Sequence, residues 1–265
     1  MPPAKKNAQR VRRYDSTKTQ AAVLAQLGHV CDAVRALPPE TFDGPTRLGE
    51  WTVRELVAHL SWMVGCVPRL LARPEPARQE VALLDWPFVT DPLAGRIDDF
   101  TRSIDASDPA KLLDRSAREY EEAVAGATGE RLIEMGFGAM TLADFVVTRT
   151  VELVVHTDDL SAATGVEIPY DRQALAACTR LLADALAAKA PGGAVEVRIP
   201  PYAVVQCVEG PRHTRGTPPN VVETDPVTWI RLATGRVAWA AERDAARVSA
   251  SGERADLEGL LPLMR

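Results

Sequence analysis

The stretch RTVELVVHTDDLSAATG, residues 149–165, decides the fold because it predicts a long helix with polar chemistry on one face. Glu152 and His156 are four residues apart, so their side chains point the same way from that helix. Gly165 is its natural end. A carboxylate and an imidazole placed together supply two of the three protein ligands that a catalytic metal site needs.

A second stretch, WTVRELVAHL at residues 51–60, supplies a third ligand type in His59. Thr52 and Glu55 have the spacing of a capping box, which predicts that a helix begins here. Two ligands from one helix and one from another suit the core of a helical bundle. Imidazole and carboxylate groups are good ligands for zinc and its first-row neighbours and poor ligands for calcium.

The same spacing also fits a purely structural interpretation. In that case His59 and His156 are unrelated, hydrogen-bonded residues, and Glu152 pairs with Arg149. Cys66 lies two turns after His59 on the same helix face. It is either a fourth ligand, a reactive thiol, or a buried thiol that packs as a small hydrophobic side chain.

The composition is typical of a globular protein with a substantial core. The 265 residues are 46% hydrophobic and 25% charged, and the net charge of −5 leaves no basic surplus for nucleic acid. The sequence contains no run of about twenty uncharged apolar residues, so we expect no membrane span. The four cysteines are scattered, without a CxxC spacing, so we expect no disulfide framework and a cytoplasmic location.

The hydrophobic pattern changes at Gly165. Before it, apolar residues recur every three or four positions, which predicts long amphipathic helices; after it, short alternating segments predict strands between helices. We therefore expect an α+β protein in three parts. These are a basic, flexible N-terminal arm at 1–15, a helical bundle with the metal site at 16–167, and a small α/β domain at 168–265.

The individual elements follow from the same patterns and from Pro and Gly positions. Residues 72–92 are rich in proline, so we expect an irregular segment there. Predicted helices cover residues 19–37, 53–67 with a possible continuation to 71, 93–104, 109–127, 141–164, 171–189, 225–234 and 257–261. Predicted strands cover residues 195–199, 202–208, 220–223 and 247–251.

Three segments carry a resemblance to a known family. LGEWTVRELVAHLSWMVG at 48–65 and RTVELVVHTDDLSAATG at 149–165 resemble two motifs of the mycothiol-dependent maleylpyruvate isomerase family, a group of DinB-like bundle proteins. DPVTWIRLATGR at 225–236 resembles, more weakly, a helix of that family that ends in Gly-Arg. The resemblance implies a DinB-like four-helix bundle followed by a small sterol-carrier-like α/β domain.

The resemblance also implies roles for particular residues. By motif, His59, Glu152 and His156 bind a divalent metal, most often zinc. Arg236 resembles an arginine that the family uses near its active site, so we expect it to be catalytic; the alternative is a surface arginine that completes a helix C-terminus.

Two further side chains near these ligands are candidates for binding the cofactor. Asp159 follows His156 by three residues and is placed to hold the ring N–H of that histidine, although a helix C-cap or an inter-helix salt bridge is the alternative. Arg149 either pairs with Glu152 or binds a substrate anion.

The function implied by the resemblance uses mycothiol, a low-molecular-weight thiol, as cosubstrate. A thiol coordinated to Zn²⁺ is deprotonated at neutral pH and becomes a nucleophile. It would attack an unsaturated or electrophilic small-molecule acceptor, as an isomerase if the thiol leaves again and as a transferase if it stays. We expect the thiol to bind at the cleft between the domains. Small molecules are therefore the expected partners.

Three other classes of function remain open. A sterol-carrier-like domain is compatible with a non-catalytic small-molecule or lipid-binding protein. The same bundle is compatible with a metal-dependent hydrolase, although no extra Glu or His stands out as its general base. A stress-induced structural protein without turnover is the third class.

Overall fold

A computed structural model describes residues 12–211, 216 and 218–264. The helices are α1 (Ser16–Ala36), α2 (Val53–Leu71), α3 (Trp86–Val89), α4 (Ala94–Arg102), α5 (Pro109–Val124), α6 (Leu142–Thr164), α7 (Arg172–Lys189), α8 (Pro226–Ala233) and α9 (Trp239–Asp244), with short 3₁₀ helices at Pro39–Asp43, Asp91–Leu93 and Glu258–Leu260. The strands are β1 (Leu132–Met135), β2 (Gly138–Thr141), β3 (Val195–Ile199), β4 (Ala203–Cys207), β5 (Val221–Thr224) and β6 (Val248–Ser251).

Four long helices form a closed bundle in the first two thirds of the chain. Helix α2 packs against α5 and α6, and α1 packs against the same two helices. The helices α2 and α6 are therefore in direct contact. Their apolar faces meet in a continuous core that includes the fully buried Leu27, Leu60, Met63 and Leu113. Among the described residues, no helix combines the length and the hydropathy that a bilayer crossing requires.

The two helices that carry the predicted ligands begin at the residues that the sequence indicates. The Thr52 hydroxyl accepts the Glu55 N–H, and the Glu55 carboxylate accepts the Thr52 N–H at 2.6 Å, which completes a capping box for α2. Thr141 accepts the Asp144 N–H at 3.1 Å and caps α6. Gly165 ends α6 with a φ of 71°, a conformation that favours glycine.

The last third of the chain forms a four-stranded sheet in the order β4-β3-β5-β6. The β3–β5 pair is parallel, and the other two pairs are antiparallel. Helix α7 packs against β4 and α8 and also against α1 and α6, so it joins the sheet to the bundle. The predicted fold class, a four-helix bundle followed by a small α/β domain, is confirmed by this arrangement.

The predictions did not include β1, β2, α3 or α9, and the four-residue helix α3 lies within the segment 72–92 that its prolines predict to be irregular. Strands β1 and β2 form an antiparallel hairpin around the two-residue turn at Gly136 and Phe137, and the six-residue helix α9 follows α8. Strands of four residues and a helix of under two turns are too short to produce a clear period in the sequence. The hairpin matters for the site, because its turn reaches the cavity described below.

The predicted arm at 1–15 belongs to the described part of the chain only at residues 12–15, since residues 1–11 lie outside the described residues. Arg12 Nε donates to Asp184 of α7 at 2.8 Å, and Tyr14 is half-buried. Asp15 caps α1 by accepting the Lys18 N–H at 2.9 Å. These contacts hold residues 12–15 against the rest of the protein.

Alanine substitutions at two helical glycines test the packing of the bundle. Gly28 of α1 is exposed, and an added Cβ meets nothing within 4 Å. Gly28→Ala should raise the free energy of unfolding by about 0.5–1 kcal/mol, because alanine loses less conformational freedom in a helix. Gly65 of α2 is the matched control, since its Cβ would lie 3.1 Å from Ser116 Oγ of α5.

We expect Gly65→Ala to gain less stability than Gly28→Ala, because the Ser116 side chain of α5 must shift by a few tenths of an ångström to accept the methyl group. Urea denaturation followed by circular dichroism measures both variants. Equal stabilisation by the two substitutions would contradict the close α2–α5 crossing.

Candidate metal centre

Three potential ligands from α2 and α6 converge inside the bundle. His59 lies about two turns into α2, and Glu152 and His156 lie one turn apart in α6. Glu152 Oε2 is 3.6 Å from His59 Nε2 and 3.3 Å from His156 Nε2. The ligand atoms of the three side chains all lie within 4.8 Å of one another. The structure therefore brings together the three side chains that the sequence singles out.

The protonation of two of these groups suits a cation. Burial acts to raise the pKa of Glu152, but the His156 and His59 imidazoles and the Arg149 guanidinium outweigh burial and hold that pKa well below its usual range. Glu152 is therefore ionised. Burial lowers the pKa of His59, so its imidazole is neutral and keeps a lone pair for a metal.

The pKa of His156 is shifted in the opposite direction to that of His59. Burial acts to lower the pKa of its imidazole, but the contacts with Asp159 and Glu152 outweigh burial and raise that pKa. A metal ion would compete with a proton for a ring nitrogen of His156, because only a deprotonated ring nitrogen binds metal.

Aromatic packing holds the His59 ring in place. Its centroid lies 5.1 Å from that of Trp51 and 5.8 Å from that of Trp62, both in tilted geometry. The His156 ring meets it edge-on at 4.9 Å. His59 Nδ1 is buried and makes no hydrogen bond with any described residue. The orientation of His59 therefore depends on these ring contacts and on Glu152 at Nε2, without a polar partner at Nδ1.

Asp159 orients His156 through a direct contact. The buried Asp159 Oδ2 lies 2.8 Å from His156 Nδ1. Burial acts to raise the pKa of Asp159, but His156 and Arg236 hold it well below its usual range, so the carboxylate is ionised and only accepts hydrogen bonds. Nδ1 therefore carries the proton, and Nε2 faces Glu152. This arrangement is typical of histidines that bind metal through the other ring nitrogen.

Arg236 reaches the three potential ligands only through Asp159. Its Nη2 donates to Asp159 Oδ2 at 2.9 Å, and its Nη1 donates to the Thr234 carbonyl at 2.8 Å. Arg236 lines a separate cavity of about 670 Å³ together with Arg47. In this arrangement Arg236 positions Asp159. Its predicted catalytic role stays a prediction.

Arg47 and Arg231, two of the cations that neutralise Asp158 and Asp159, were not predicted from the sequence. Arg47 Nε donates to Asp159 Oδ1 at 2.6 Å, and Arg47 also pairs with Asp158. Arg231 Nη2 donates to Asp158 Oδ1 at 2.6 Å, and Tyr170 donates to the same oxygen at 3.2 Å. The available signal was the pair of adjacent carboxylates within the hydrophobic pattern of α6, because buried carboxylates require cationic partners.

Arg149 and Cys66 lie beside the three potential ligands. Arg149 Nη2 is 3.9 Å from Glu152 Oε1, and its guanidinium lies 4.4 Å from the centre of the Phe145 ring. Cys66 Sγ donates to the Met63 carbonyl at 3.1 Å. Burial raises the pKa of the Cys66 thiol, and Cys66 is not part of the close ligand group. These contacts support the interpretation of Cys66 as a half-buried, protonated thiol that packs beside the cavity.

A cavity of about 500 Å³ gives small molecules access to the centre. His59 and Glu152 line it, together with Arg149 and Cys66. The Glu152 side chain keeps 18% of its surface exposed. Three potential ligands beside an accessible cavity are compatible with a catalytic metal site, whereas a structural site is closed by a fourth protein ligand.

Comparisons with known proteins agree with this architecture. A family model described as the mycothiol maleylpyruvate isomerase N-terminal domain matches residues 23–161. A second model, described as bacterial SCP ortholog, matches residues 171–263. No curated protein matches the chain.

Solved structures show the same fold. The crystal structure of the mycothiol-dependent maleylpyruvate isomerase is similar at 14% identity with a TM-score of 0.59, over 92% of this chain and 95% of that one. A histidine-to-alanine mutant of that isomerase gives a TM-score of 0.60 at the same identity and coverage. YfiT from Bacillus subtilis, a probable metal-dependent hydrolase, matches 61% of this chain and 94% of its own at 19% identity, with a TM-score of only 0.39.

At such low identity the two isomerase structures indicate the fold alone, and the sequence family rests on the first family model. That model covers more than half of the chain. The chain therefore belongs to the mycothiol maleylpyruvate isomerase family.

Proposed function

We propose that the protein is a divalent-metal-dependent enzyme that activates a low-molecular-weight thiol of the mycothiol type for attack on an unsaturated or electrophilic small-molecule acceptor. The observation that carries this proposal is the convergence of His59, Glu152 and His156 beside an accessible cavity. Membership of the family supports a thiol of the mycothiol type, because the isomerase structures with the same fold are described as mycothiol-dependent.

The donor set fits a metal of the zinc type. Two imidazoles and one carboxylate are a known ligand combination of catalytic zinc, and the third ligand comes from a neighbouring helix. We propose that His59, Glu152 and His156 hold the ion. A metal held there supplies Lewis acidity, which lowers the pKa of a coordinating thiol to the neutral range.

The remaining residues prepare the site for this chemistry. Asp159 keeps the His156 proton on Nδ1, which leaves Nε2 as the binding atom. Arg47 and Arg236 hold the Asp159 carboxylate from two other parts of the chain. Arg149 places a positive charge at the cavity wall beside Glu152, where it attracts an anionic acceptor.

The same residues serve either outcome of thiol addition. In an isomerase the thiol leaves after rotation about the former double bond, and in a transferase it remains on the acceptor.

We further propose that the chain divides into a bundle at 16–167 and a C-terminal domain at 168–265. The two family models, at 23–161 and 171–263, support this division.

Removal of either imidazole should abolish tight metal binding. We expect His59→Ala and His156→Ala to retain less than about a tenth of the bound zinc, because two ligands hold the ion far more weakly than three. Elemental analysis after dialysis measures the zinc, and circular dichroism verifies the helix content. His29→Ala, on the partly exposed side of α1, is the matched control and should bind zinc normally. Full zinc binding by both site variants would contradict the proposed ligands.

Loss of the Asp159 charge should weaken metal binding without removing a ligand. We expect Asp159→Asn to raise the zinc dissociation constant about 10- to 100-fold, because the His156 ring loses its fixed orientation. Competition with a chelator measures this constant. Asp158→Asn is a close control, since Asp158 pairs with Arg47 and Arg231 but not with His156. Equal effects of the two variants would show that the contact with His156 contributes nothing specific.

Thiol binding should depend on the metal. We expect mycothiol to bind the zinc-loaded protein at least about ten times more tightly than the chelated protein, because a metal favours the thiolate over the thiol. Isothermal titration calorimetry measures both constants. If the two forms bind mycothiol equally weakly, the thiol-dependent function is wrong, and a role as a binding protein becomes the better explanation.

A further inference from the structure

One face of α2 forms a wall of the cavity from end to end. His59, Trp62, Cys66 and Arg69 line it at steps of three, four and three residues, and Arg73 follows just beyond the helix. A helix rises about 1.5 Å per residue, so His59 and Arg69 are separated by about 15 Å along the axis. The cavity is therefore elongated, with the candidate metal centre near one end and arginines near the other.

The middle of the cavity is lined by aromatic rings. The Trp62 ring lies 5.8 Å from that of His59 and 5.1 Å from that of Phe100. Phe100 is 43% exposed, and Phe137 from the hairpin turn lines the same space. An exposed aromatic ring that continues an apolar wall is typical of a surface that covers an apolar ligand.

The charge on the cavity lining is positive. Among the described residues that line it, four arginines face the two carboxylates Glu134 and Glu152. Arg149 lies against Glu152. Arg69, Arg73 and Arg96 make no hydrogen bond or ion pair through their guanidinium groups with any side chain that the structure describes. Guanidinium groups without partners beside a cavity suit the paired oxygens of a carboxylate.

We propose that the acceptor is an elongated carboxylate with an apolar, aromatic or long-chain body. The body would lie along Trp62 and Phe100, and the carboxylate would reach Arg69 and Arg96, on the order of 15 Å from the reacting end. A short diacid would leave the aromatic wall uncovered. This inference rests on the proposed function for the claim that the occupant reacts, whereas its binding in the cavity depends only on the residues named here.

Three probes separate the contributions of charge and apolar surface. We would titrate the full chain by calorimetry with 6-phenylhexanoate, with its neutral amide 6-phenylhexanamide, and with the short diacid adipate. We expect 6-phenylhexanoate to bind at least about tenfold more tightly than either of the others, because only it satisfies both the arginines and the rings. Equal or tighter binding of the amide or of adipate would overturn the inference.

Matched variants assign the binding to this cavity. The double variant Arg69→Gln/Arg96→Gln should weaken phenylhexanoate binding about tenfold and leave amide binding unchanged, because only the carboxylate loses its partners. Arg172→Gln, an exposed arginine of α7 away from the cavity, is the control. Phe100→Ala should weaken both apolar probes, whereas Phe88→Ala, which is 39% exposed and outside the cavity lining, should weaken neither.

Titrations of the three probes with and without zinc, compared with the mycothiol titration described above, distinguish this inference from the proposed function. If the protein binds zinc and mycothiol but binds adipate more tightly than 6-phenylhexanoate, only the proposal of an elongated acceptor is wrong. If the protein binds 6-phenylhexanoate most tightly but binds no zinc, only the proposed enzymatic function is wrong. Unchanged phenylhexanoate binding by the double arginine variant would also overturn the inference.

Discussion

The ionised Glu152 carboxylate is the interaction on which the centre of this protein depends. A buried charge is costly unless neighbouring groups compensate it. Here the compensation comes from His59 on α2 and from His156 and Arg149 on α6 itself. Any sliding of α2 along α6 would separate His59 from Glu152. The capping box at Thr52 and the glycine end at Gly165 therefore matter for the site as well as for the helices.

A chain of polar contacts connects this centre with the last third of the molecule. His156 contacts Asp159, and Asp159 accepts from Arg47, in the segment before α2, and from Arg236, after α8. Arg231 of α8 reaches the adjacent Asp158. The C-terminal part thus contributes cations to the carboxylate that orients a potential metal ligand. This connection gives the α/β domain a physical role at the site, although the three potential ligands all come from the bundle.

The sequence predicted the features that leave a local signature. Cap residues and helical periodicity identified α2 and α6, and their polar positions identified the three side chains that converge. The hairpin β1–β2 and helix α9 are too short to show a period. Arg47 and Asp159 are 112 residues apart, and no local pattern predicts a pair at that separation. The aromatic and cationic lining of the cavity likewise comes from segments that meet only in the folded chain.

The central claim is that α2 and α6 together hold one divalent ion with a position left for a thiol. Zinc X-ray absorption spectroscopy on the loaded protein tests it most directly. We expect imidazole nitrogen and carboxylate oxygen ligands at about 2.0–2.2 Å, and one additional sulfur at about 2.3 Å after mycothiol is added. A spectrum without imidazole scattering, or one that mycothiol leaves unchanged, would contradict it.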